Sequence, residues 1–284
     1  MIKTPPDLLG QAAAAPGNAT AAARILPLLD LTSLGENDTE GMIQRLCARA
    51  RDSGVAAVCV WPRFVPLARS RLERSGVRIA TVANFPDGSD DIAGTAAEIE
   101  QAVKAGADEV DIVAPIQAIM EGDVGLVTEL VQACKAVADE RTLKIILETG
   151  LLQEPSRIAA AARAAVMAGV DFVKTSTGRR APATLEAAAV LLAVIEEADG
   201  RVGLKVAGGI RTTQQAAQYL YLVDHFMGSG WTAPDRLRFG ASTLLDDLSE
   251  VLGGGAGFDS DDGDAAGNGG DWGGDAGSGG DGGA

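Results

Sequence analysis

The amino-acid sequence predicts an α/β protein with a (β/α)₈ barrel, and three observations support this fold class. Eight short apolar runs lie between residues 25 and 243. They alternate with amphipathic segments of helical composition, which is the pattern of parallel strands joined by helices. No glycine-rich dinucleotide loop follows the first run, and its absence disfavours the main alternative, a doubly wound open sheet.

The predicted strands follow one another at regular intervals along the chain. Their runs are ILPLLDLT (25–32), VAAVCVWP (55–62), RIATVANFP (78–86), DEVDIVAP (108–115), LKIILETG (143–150), VDFVKTST (170–177), VGLKVAGG (202–209) and RLRFGAST (236–243). The segments between them are rich in alanine, leucine and glutamate, which favour helix. Gly54, Gly106 and Gly169 each stand shortly before a strand, where a helix C-cap is expected.

The composition divides the chain into three parts. Residues 1–24 are predicted to form an N-terminal arm or helix, and residues 25–252 to form a single barrel domain. Residues 253–284 contain seven aspartates and fifteen glycines. Such an acidic, low-complexity segment cannot bury a core, so we expect a disordered tail.

Charge and hydropathy exclude several classes of function. The net charge of −15 argues against nucleic-acid binding, which depends on clustered lysine and arginine. No uncharged apolar run reaches the roughly 18 residues of a membrane span, and the N-terminus lacks a signal-peptide core. Cys47, Cys59 and Cys134 form no CxxC pair, so we expect free thiols in a cytoplasmic protein.

The single histidine, His225, bears on the choice between metal-dependent and metal-free chemistry. A His-ligated zinc site normally needs two or three histidines. We therefore expect no metal and no other cofactor. A homo-oligomeric assembly is compatible with the sequence but is not specified by it.

Charged residues within the predicted strands are the most informative feature. Side chains alternate between the two faces of a strand, and the outward face of a barrel strand must be apolar to meet the helices. The residues that this alternation directs to the interior are Asp30, Cys59, Asp111, Lys144, Lys174 and Lys205. The expected interior therefore holds three lysines and fewer acids.

Such an interior is a poor stabilising device but a good catalytic one. Buried ion pairs rarely give net stability, because desolvation offsets the Coulomb attraction. A desolvated ammonium beside other ammonium groups loses its proton more readily, and only the neutral amine attacks a carbonyl. We therefore predict that Lys174 forms a Schiff base, that Lys205 lowers its pKa, and that Asp111 moves protons. An internal salt-bridge network that only fills the barrel is the alternative.

Eight segments of the chain, in order, resemble those of deoxyribose-phosphate aldolase, a class I aldolase. They are LLDLTSLGENDT, VCVWPRFVPLAR, RIATVANFPDG, EVDIVAPIQAIMEGD, LKIILETG, DFVKTSTG, GLKVAGGIRT and RFGASTLL. The resemblance implies that Lys174 is the Schiff-base lysine and that Asp111 and Lys205 are the proton donor and acceptor residues. It implies reversible cleavage of 2-deoxy-D-ribose 5-phosphate to D-glyceraldehyde 3-phosphate and acetaldehyde, in deoxyribonucleoside catabolism.

A phosphorylated substrate needs an anion site, and two loops offer one. In barrels the loops after strands seven and eight often bind phosphate through backbone N–H groups. Gly208 and Gly209 follow the seventh predicted strand, and Gly240, Ser242 and Thr243 follow the eighth. Each of these residues alone would more simply be a turn or cap residue, but two such loops at neighbouring strands favour phosphate binding.

The chain departs from the family pattern at two places. Arg179 stands after KTSTG, where the family often has lysine, and its charge can still hold phosphate with a different geometry. The family's C-terminal tyrosine is missing, because the only tyrosines are Tyr219 and Tyr221, which precede the eighth strand.

Two other functions stay open at this point. One is a Schiff-base aldolase of similar fold that acts on a different aldehyde donor. The other is a non-catalytic barrel that binds phosphosugars.

Overall fold

The structure of the chain, a computed structural model, describes residues 6–253. Eight parallel strands pair in chain order, and β8 pairs with β1, so that the sheet closes into a (β/α)₈ (TIM) barrel. The strands are β1 (Leu29–Ser33), β2 (Ala57–Val60), β3 (Arg78–Ala83), β4 (Glu109–Val113), β5 (Thr142–Ile146), β6 (Phe172–Lys174), β7 (Gly203–Ala207) and β8 (Leu237–Ala241). The predicted fold class is confirmed.

Twelve α-helices of the described segment surround and flank the sheet. They are α1 (Pro6–Ala13), α2 (Ala19–Ile25), α3 (Glu40–Ser53), α4 (Val65–Leu72), α5 (Ile92–Lys104), α6 (Ile116–Glu121), α7 (Gly125–Ala138), α8 (Thr149–Leu152), α9 (Pro155–Met167), α10 (Leu185–Glu197), α11 (Thr213–Met227) and α12 (Leu244–Val251). Local chemistry fixes their ends. The side chain of Thr212, for example, caps α11 in a capping box with Gln215.

The first strand begins later than the sequence pattern predicts. Residues 25–32 were expected to be extended, but Leu26–Leu28 form a 3₁₀ turn and β1 starts at Leu29. Pro27 explains the difference, because proline has no N–H to donate to a strand ladder and suits the first turn of a helix.

The N-terminal segment is helical and packs against the barrel. Helices α1 and α2 contact α11, and α1 also contacts α10. Leu8, Ala12, Ala22 and Ile25 of these helices are buried within the main hydrophobic core. The predicted arm thus contributes apolar side chains to the same core as the barrel helices.

The other expectations from the sequence concern the C-terminal tail, membrane-spanning helices and the three cysteines. The predicted disorder of residues 253–284 falls almost wholly outside the described residues. Within the described residues no helix is long and apolar enough to cross a membrane. Cys47, Cys59 and Cys134 are all buried free thiols.

Candidate active site

Three ammonium groups meet one carboxylate inside the barrel. The Nζ atoms of Lys174 on β6 and Lys205 on β7 each lie 2.8 Å from Oδ2 of Asp111 on β4. Nζ of Lys144 on β5 lies 2.9 Å from the other oxygen of the same carboxylate. All four side chains are buried. The structure therefore brings together the four interior charges that strand alternation indicates on β4 to β7.

Two further charged residues, Glu109 and Arg238, belong to this group and are missing from the sequence-based set. Arg238 on β8 lies 2.7 Å from Oε1 of Glu109 and 2.5 Å from Oδ1 of Asp30. Lys144 lies 2.5 Å from Oε2 of Glu109, and Lys205 lies 2.5 Å from Oδ2 of Asp30. The alternation that directs Asp111 inward applies equally to these two residues, so the sequence carried the signal.

The balance of charge in the interior therefore differs from the expectation of three lysines and fewer acids. The interior holds three carboxylates and three lysines, and Arg238 is the one extra cation. The expectation was wrong because it omitted Glu109. We call these seven residues the charged sector: Asp30, Glu109, Asp111, Lys144, Lys174, Lys205 and Arg238.

The pKa values within the charged sector separate Lys174 from its neighbours. Burial lowers the pKa of Lys174, Asp111 opposes this effect, and Lys205 adds to the lowering. Burial acts in the same direction on Lys205, but Asp111 and Asp30 outweigh it and raise the pKa of that lysine. Burial would raise the pKa of Asp111, yet Lys144, Lys174 and Lys205 hold it well below its ordinary value.

Lys144 behaves like Lys205. Burial lowers its pKa, but Asp111 and Glu109 outweigh burial, and the net pKa is raised. Lys174 is consequently the lysine of the charged sector that loses its proton most readily. The like-charge effect expected from Lys205 is present, but burial is the larger cause.

Lys174 is also the charged-sector residue that reaches open space. It lines a cavity of about 550 Å³ at the carboxyl ends of the strands. The cavity walls come from the carboxyl ends of β1, β6, β7 and β8 and from the segments that follow them. A volume of this size suits a small phosphorylated metabolite. A nucleophilic amine at the floor of such a cavity can attack a carbonyl group held within it.

The residues predicted to bind phosphate line the rim of this cavity. They are Gly208, Gly209, Gly240, Ser242, Thr243 and Arg179. Gly208 has a φ of 108°, and a Cβ atom there would lie 3.1 Å from Cβ of Ser176 and 3.2 Å from the carbonyl oxygen of Ala181. A side chain would therefore be strained at this position, whereas glycine leaves the backbone open to a ligand.

Gly240 differs from the loop residue that the sequence suggested. It lies within β8 and not after it. A Cβ atom on Gly240 would lie 3.1 Å from Cε of Lys205 and 3.0 Å from Cβ of Ala207. The missing side chain thus leaves room for the aliphatic stem of Lys205, in addition to lining the cavity.

A family model described as DeoC/LacD family aldolase matches residues 24–249, which include every strand of the barrel.

The chain belongs to the DeoC/LacD aldolase family.

Solved structures of named proteins are also similar to this chain. A protein from Toxoplasma gondii ME49, assigned as a deoxyribose-phosphate aldolase, is 25% identical, with a TM-score of 0.78 over 83% of this chain and 95% of its own. One from Coccidioides immitis with the same assignment is 27% identical, with a TM-score of 0.73 over 88% and 99%. The tetrameric deoxyribose phosphate aldolase of Aeropyrum pernix, at 24% identity and a TM-score of 0.68 over 87% and 98%, supports the fold alone.

Arg179 of this aldolase spans the mouth of the cavity. Its guanidinium donates to the carbonyl oxygen of Leu34, which follows β1, and its own backbone N–H donates to the hydroxyl of Thr177. The side chain therefore links the segment after β6 to the segment after β1. Its charge lies at the cavity rim, as expected, and the hydrogen bond to Leu34 holds it there without a ligand.

The other residues predicted to support the site occupy two different environments. Asp30 and Lys144 belong to the charged sector through their ion pairs. Cys59 is buried in a small apolar cluster with Leu34, Ala80 and Val82. Burial raises the pKa of the Cys59 thiol, so the group is a neutral side chain near neutral pH.

Glu148 contacts the segment after Lys174, and the alternation of strand side chains gives no signal for this contact. It follows β5, has a φ of 49° and is 1% exposed. Its Oε2 accepts the backbone N–H of Thr177 at 3.0 Å, which fixes the segment after Lys174. Among residues 6–253 its Oε1 has no hydrogen-bond partner, and neither do the hydroxyl oxygens of Thr149 and Ser176.

The tyrosines of the aldolase do not line the cavity. Tyr219 is buried in α11, where burial raises its pKa to about 12. The hydroxyl of Tyr221 donates to the side chain of Gln11 on α1. Neither tyrosine takes the place of the terminal tyrosine that the resemblance implies.

Proposed function

We propose that the chain catalyses reversible cleavage of 2-deoxy-D-ribose 5-phosphate to D-glyceraldehyde 3-phosphate and acetaldehyde through a Schiff base on Lys174. One observation carries the proposal: a buried lysine with a lowered pKa reaches a cavity of about 550 Å³. The two neighbours at 25% and 27% identity that are assigned to this activity support the choice of substrate. The reaction would serve deoxyribonucleoside catabolism.

The chemistry begins when the neutral amine of Lys174 attacks the aldehyde carbon of the open-chain sugar. A carbinolamine forms and loses water to give a protonated imine, which accepts electrons from the neighbouring bond. The C2–C3 bond breaks as the C3 hydroxyl loses its proton, and glyceraldehyde 3-phosphate leaves. The remaining enamine is protonated at carbon, and hydrolysis then releases acetaldehyde and the free amine.

Asp111 and Lys205 have complementary parts in this scheme. Asp111 contacts Nζ of Lys174 at 2.8 Å, so its carboxylate is placed to take and return protons as the carbinolamine forms and dehydrates. Lys205 keeps its proton because its pKa is raised. It holds Asp111 in place and disfavours protonation of Lys174.

The substrate phosphate would bind at the rim of the cavity. Gly208 and Gly209 offer backbone N–H groups, Ser242 and Thr243 offer hydroxyls, and Arg179 supplies a positive charge. Binding there would hold the phosphate of the sugar away from Lys174 and leave its aldehyde end free to reach the amine.

A trapping experiment tests the central step. We expect borohydride reduction in the presence of acetaldehyde to leave a covalent adduct on Lys174, found by peptide mass spectrometry. The Lys174→Arg protein, treated in the same way, should carry no adduct in the barrel interior. An adduct on Lys205 or Lys144 of the unmodified chain would overturn the assignment of roles.

Two assays separate the alternatives. Acetaldehyde, dihydroxyacetone phosphate and pyruvate are compared as donors with glyceraldehyde 3-phosphate, and we expect acetaldehyde to be used. Preference for another donor indicates a different aldolase, and no reaction with any donor indicates a binding barrel. Equal cleavage rates with and without EDTA are expected, because the scheme needs no metal.

Three other properties stay predictions. They are the cytoplasmic location, the absence of any cofactor, and assembly into a homo-oligomer. The Aeropyrum pernix relative is described as tetrameric, and light scattering on the full chain would show whether this aldolase also self-associates.

A further inference from the structure

A second cavity lies at the end of the barrel opposite Lys174. It measures about 420 Å³ and is formed at the amino ends of β3 and β5 and by the segment just before β4. Four arginines line it: Arg69, Arg74, Arg78 and Arg141. The chain carries 39 acidic and only 24 basic residues, so this concentration of guanidinium groups runs against its overall composition.

Asp108 and Glu140, the two carboxylates that line the cavity, do not cancel this charge. Asp108 already accepts Arg69 at 2.6 Å and the backbone N–H of Ile79 at 2.9 Å, and it lies 3.6 Å from Arg141. Glu140 is exposed. The lining therefore holds two more guanidinium groups than carboxylates.

The four arginines differ in how far they are already engaged. Arg69 donates to the carbonyl oxygen of Gly106 as well as to Asp108, so it is largely committed to the fold. Arg78 lies 3.2 Å from the buried carboxylate of Glu109, although about half of its side chain is exposed. These two arginines form a charged wall and do not need a ligand to explain them.

Arg74 and Arg141 are the available pair. Both are exposed, and Arg141 has only its longer contact to Asp108. Arg74 makes no ion pair within residues 6–253, and its backbone has a φ of 62°, which is uncommon for a residue other than glycine. The fold thus holds an uncommitted guanidinium at the edge of a positively charged recess.

We propose that this cavity binds a small anion with more than one phosphoryl group, at a site separate from the candidate active site. The planar guanidinium fork matches phosphate oxygens with two parallel hydrogen bonds, and exposed arginine pairs in a concave site favour multiply charged phosphates. The cavity is too small for an extended polyanion.

Inorganic pyrophosphate is a suitable probe on the full chain. Arginines are modified with phenylglyoxal in its presence and absence, and each modified site is quantified by mass spectrometry. We expect pyrophosphate to protect Arg74 and Arg141, and to leave unprotected Arg45, which is exposed on α3 and does not line this cavity. If pyrophosphate protects only Arg179 and Arg211 at the mouth of the other cavity, the proposal is overturned.

A matched pair of variants tests the same site by calorimetry. Arg74→Gln should weaken pyrophosphate binding at this site at least fivefold, whereas Arg45→Gln should leave it unchanged. Equal binding by both variants contradicts the proposal. Neither result bears on cleavage of deoxyribose 5-phosphate, so the second site and the proposed aldolase reaction can each fail without the other.

Discussion

The barrel interior contains two regions of opposite character. One is the charged sector, on β1 and β4 to β8. The other, which we call the apolar sector, consists of Leu34, Cys59, Ala80 and Val82. The aromatic rings of Trp61 and Phe85 pack against it and contact each other edge to face at 5.6 Å. Apart from Leu34, which follows β1, both regions arise from the same inward alternation of strand side chains.

The difference between the sectors explains why the pKa of one lysine of three is lowered. An apolar wall offers no counter-ion, and such surroundings disfavour any ammonium. Lys144 and Lys205 are each held by two carboxylates and stay charged. Lys174 contacts only Asp111, and there burial prevails. The direction of the pKa shift of each lysine therefore follows from the number of carboxylates that the lysine contacts.

The largest expected effect comes from replacing the nucleophile itself. Lys174→Arg should abolish turnover, because a guanidinium stays protonated at any accessible pH and cannot form the imine. The fold should be retained, since arginine can still pair with Asp111. Cleavage assays and thermal melts check both statements, with Lys135→Arg as the matched control, because Lys135 is a partly buried lysine that also pairs with an aspartate, Asp171. Measurable turnover by Lys174→Arg would contradict the account.

A substitution in each sector should lower the free energy of unfolding, but the two losses should depend differently on pH. Asp111→Asn leaves three ammonium groups without their shared carboxylate and should destabilise the fold by roughly 3–5 kcal/mol. Because the folded pKa of Asp111 is depressed, this contribution is fully present above about pH 4, the ordinary range of an unfolded Asp. It is lost only as the pH falls through the much lower folded pKa.

Val82→Ala in the apolar sector is the control for that measurement. It removes apolar volume and no charge, so its cost in the free energy of unfolding should not change with pH. Urea unfolding of the three proteins between acid and neutral pH compares them. A parallel pH dependence for the two variants would show that the sectors do not differ as described.

Removal of the electrostatic neighbour should have a smaller effect on activity. Lys205→Leu should lower kcat at least 100-fold, about 2.7 kcal/mol in the barrier, and leave KM nearly unchanged. The acid limb of the pH profile should move to higher pH, because the pKa of Lys174 rises when the adjacent ammonium is removed. Lys104→Leu at an exposed site is the control. Normal turnover by Lys205→Leu would refute the role of like charge.

The smallest expected effect concerns Glu148. Glu148→Gln keeps the shape of the side chain but weakens the hydrogen bond from the backbone N–H of Thr177. We expect kcat to fall about tenfold, near 1.4 kcal/mol in the barrier, with little change in melting temperature. Glu148→Ala should lose more activity than Glu148→Gln. Full activity in both variants would show that the segment after Lys174 does not need this anchor.

Much of the molecule could be predicted from the sequence because two periodicities dominate it. All eight strands occur where apolar runs predict them, apart from the 3₁₀ turn that Pro27 imposes before β1. Alternation correctly directs Asp30, Asp111 and the three lysines inward. Arg238 and Glu109 follow from the same rule, so their omission reflects incomplete use of it and not a missing signal.

The rest of the site depends on contacts that no periodicity encodes. The bond between Glu148 and Thr177 joins the segments after β5 and β6, and its geometry requires a left-handed backbone at a glutamate. The space that Gly240 leaves for the side chain of Lys205 likewise depends on a close approach between β7 and β8. The order of pKa values depends on how many carboxylates each ammonium contacts, and this requires three-dimensional distances.

The central claim is that the charged sector leaves Lys174 more easily deprotonated than an ordinary lysine. The most direct test is the pH dependence of its reductive alkylation by acetaldehyde and cyanoborohydride, quantified by mass spectrometry against the exposed Lys104 of the same protein. We predict that Lys174 reaches half of its maximal labelling below pH 10.4, the ordinary lysine pKa. Half-maximal labelling of Lys174 at or above pH 10.4 would contradict the account.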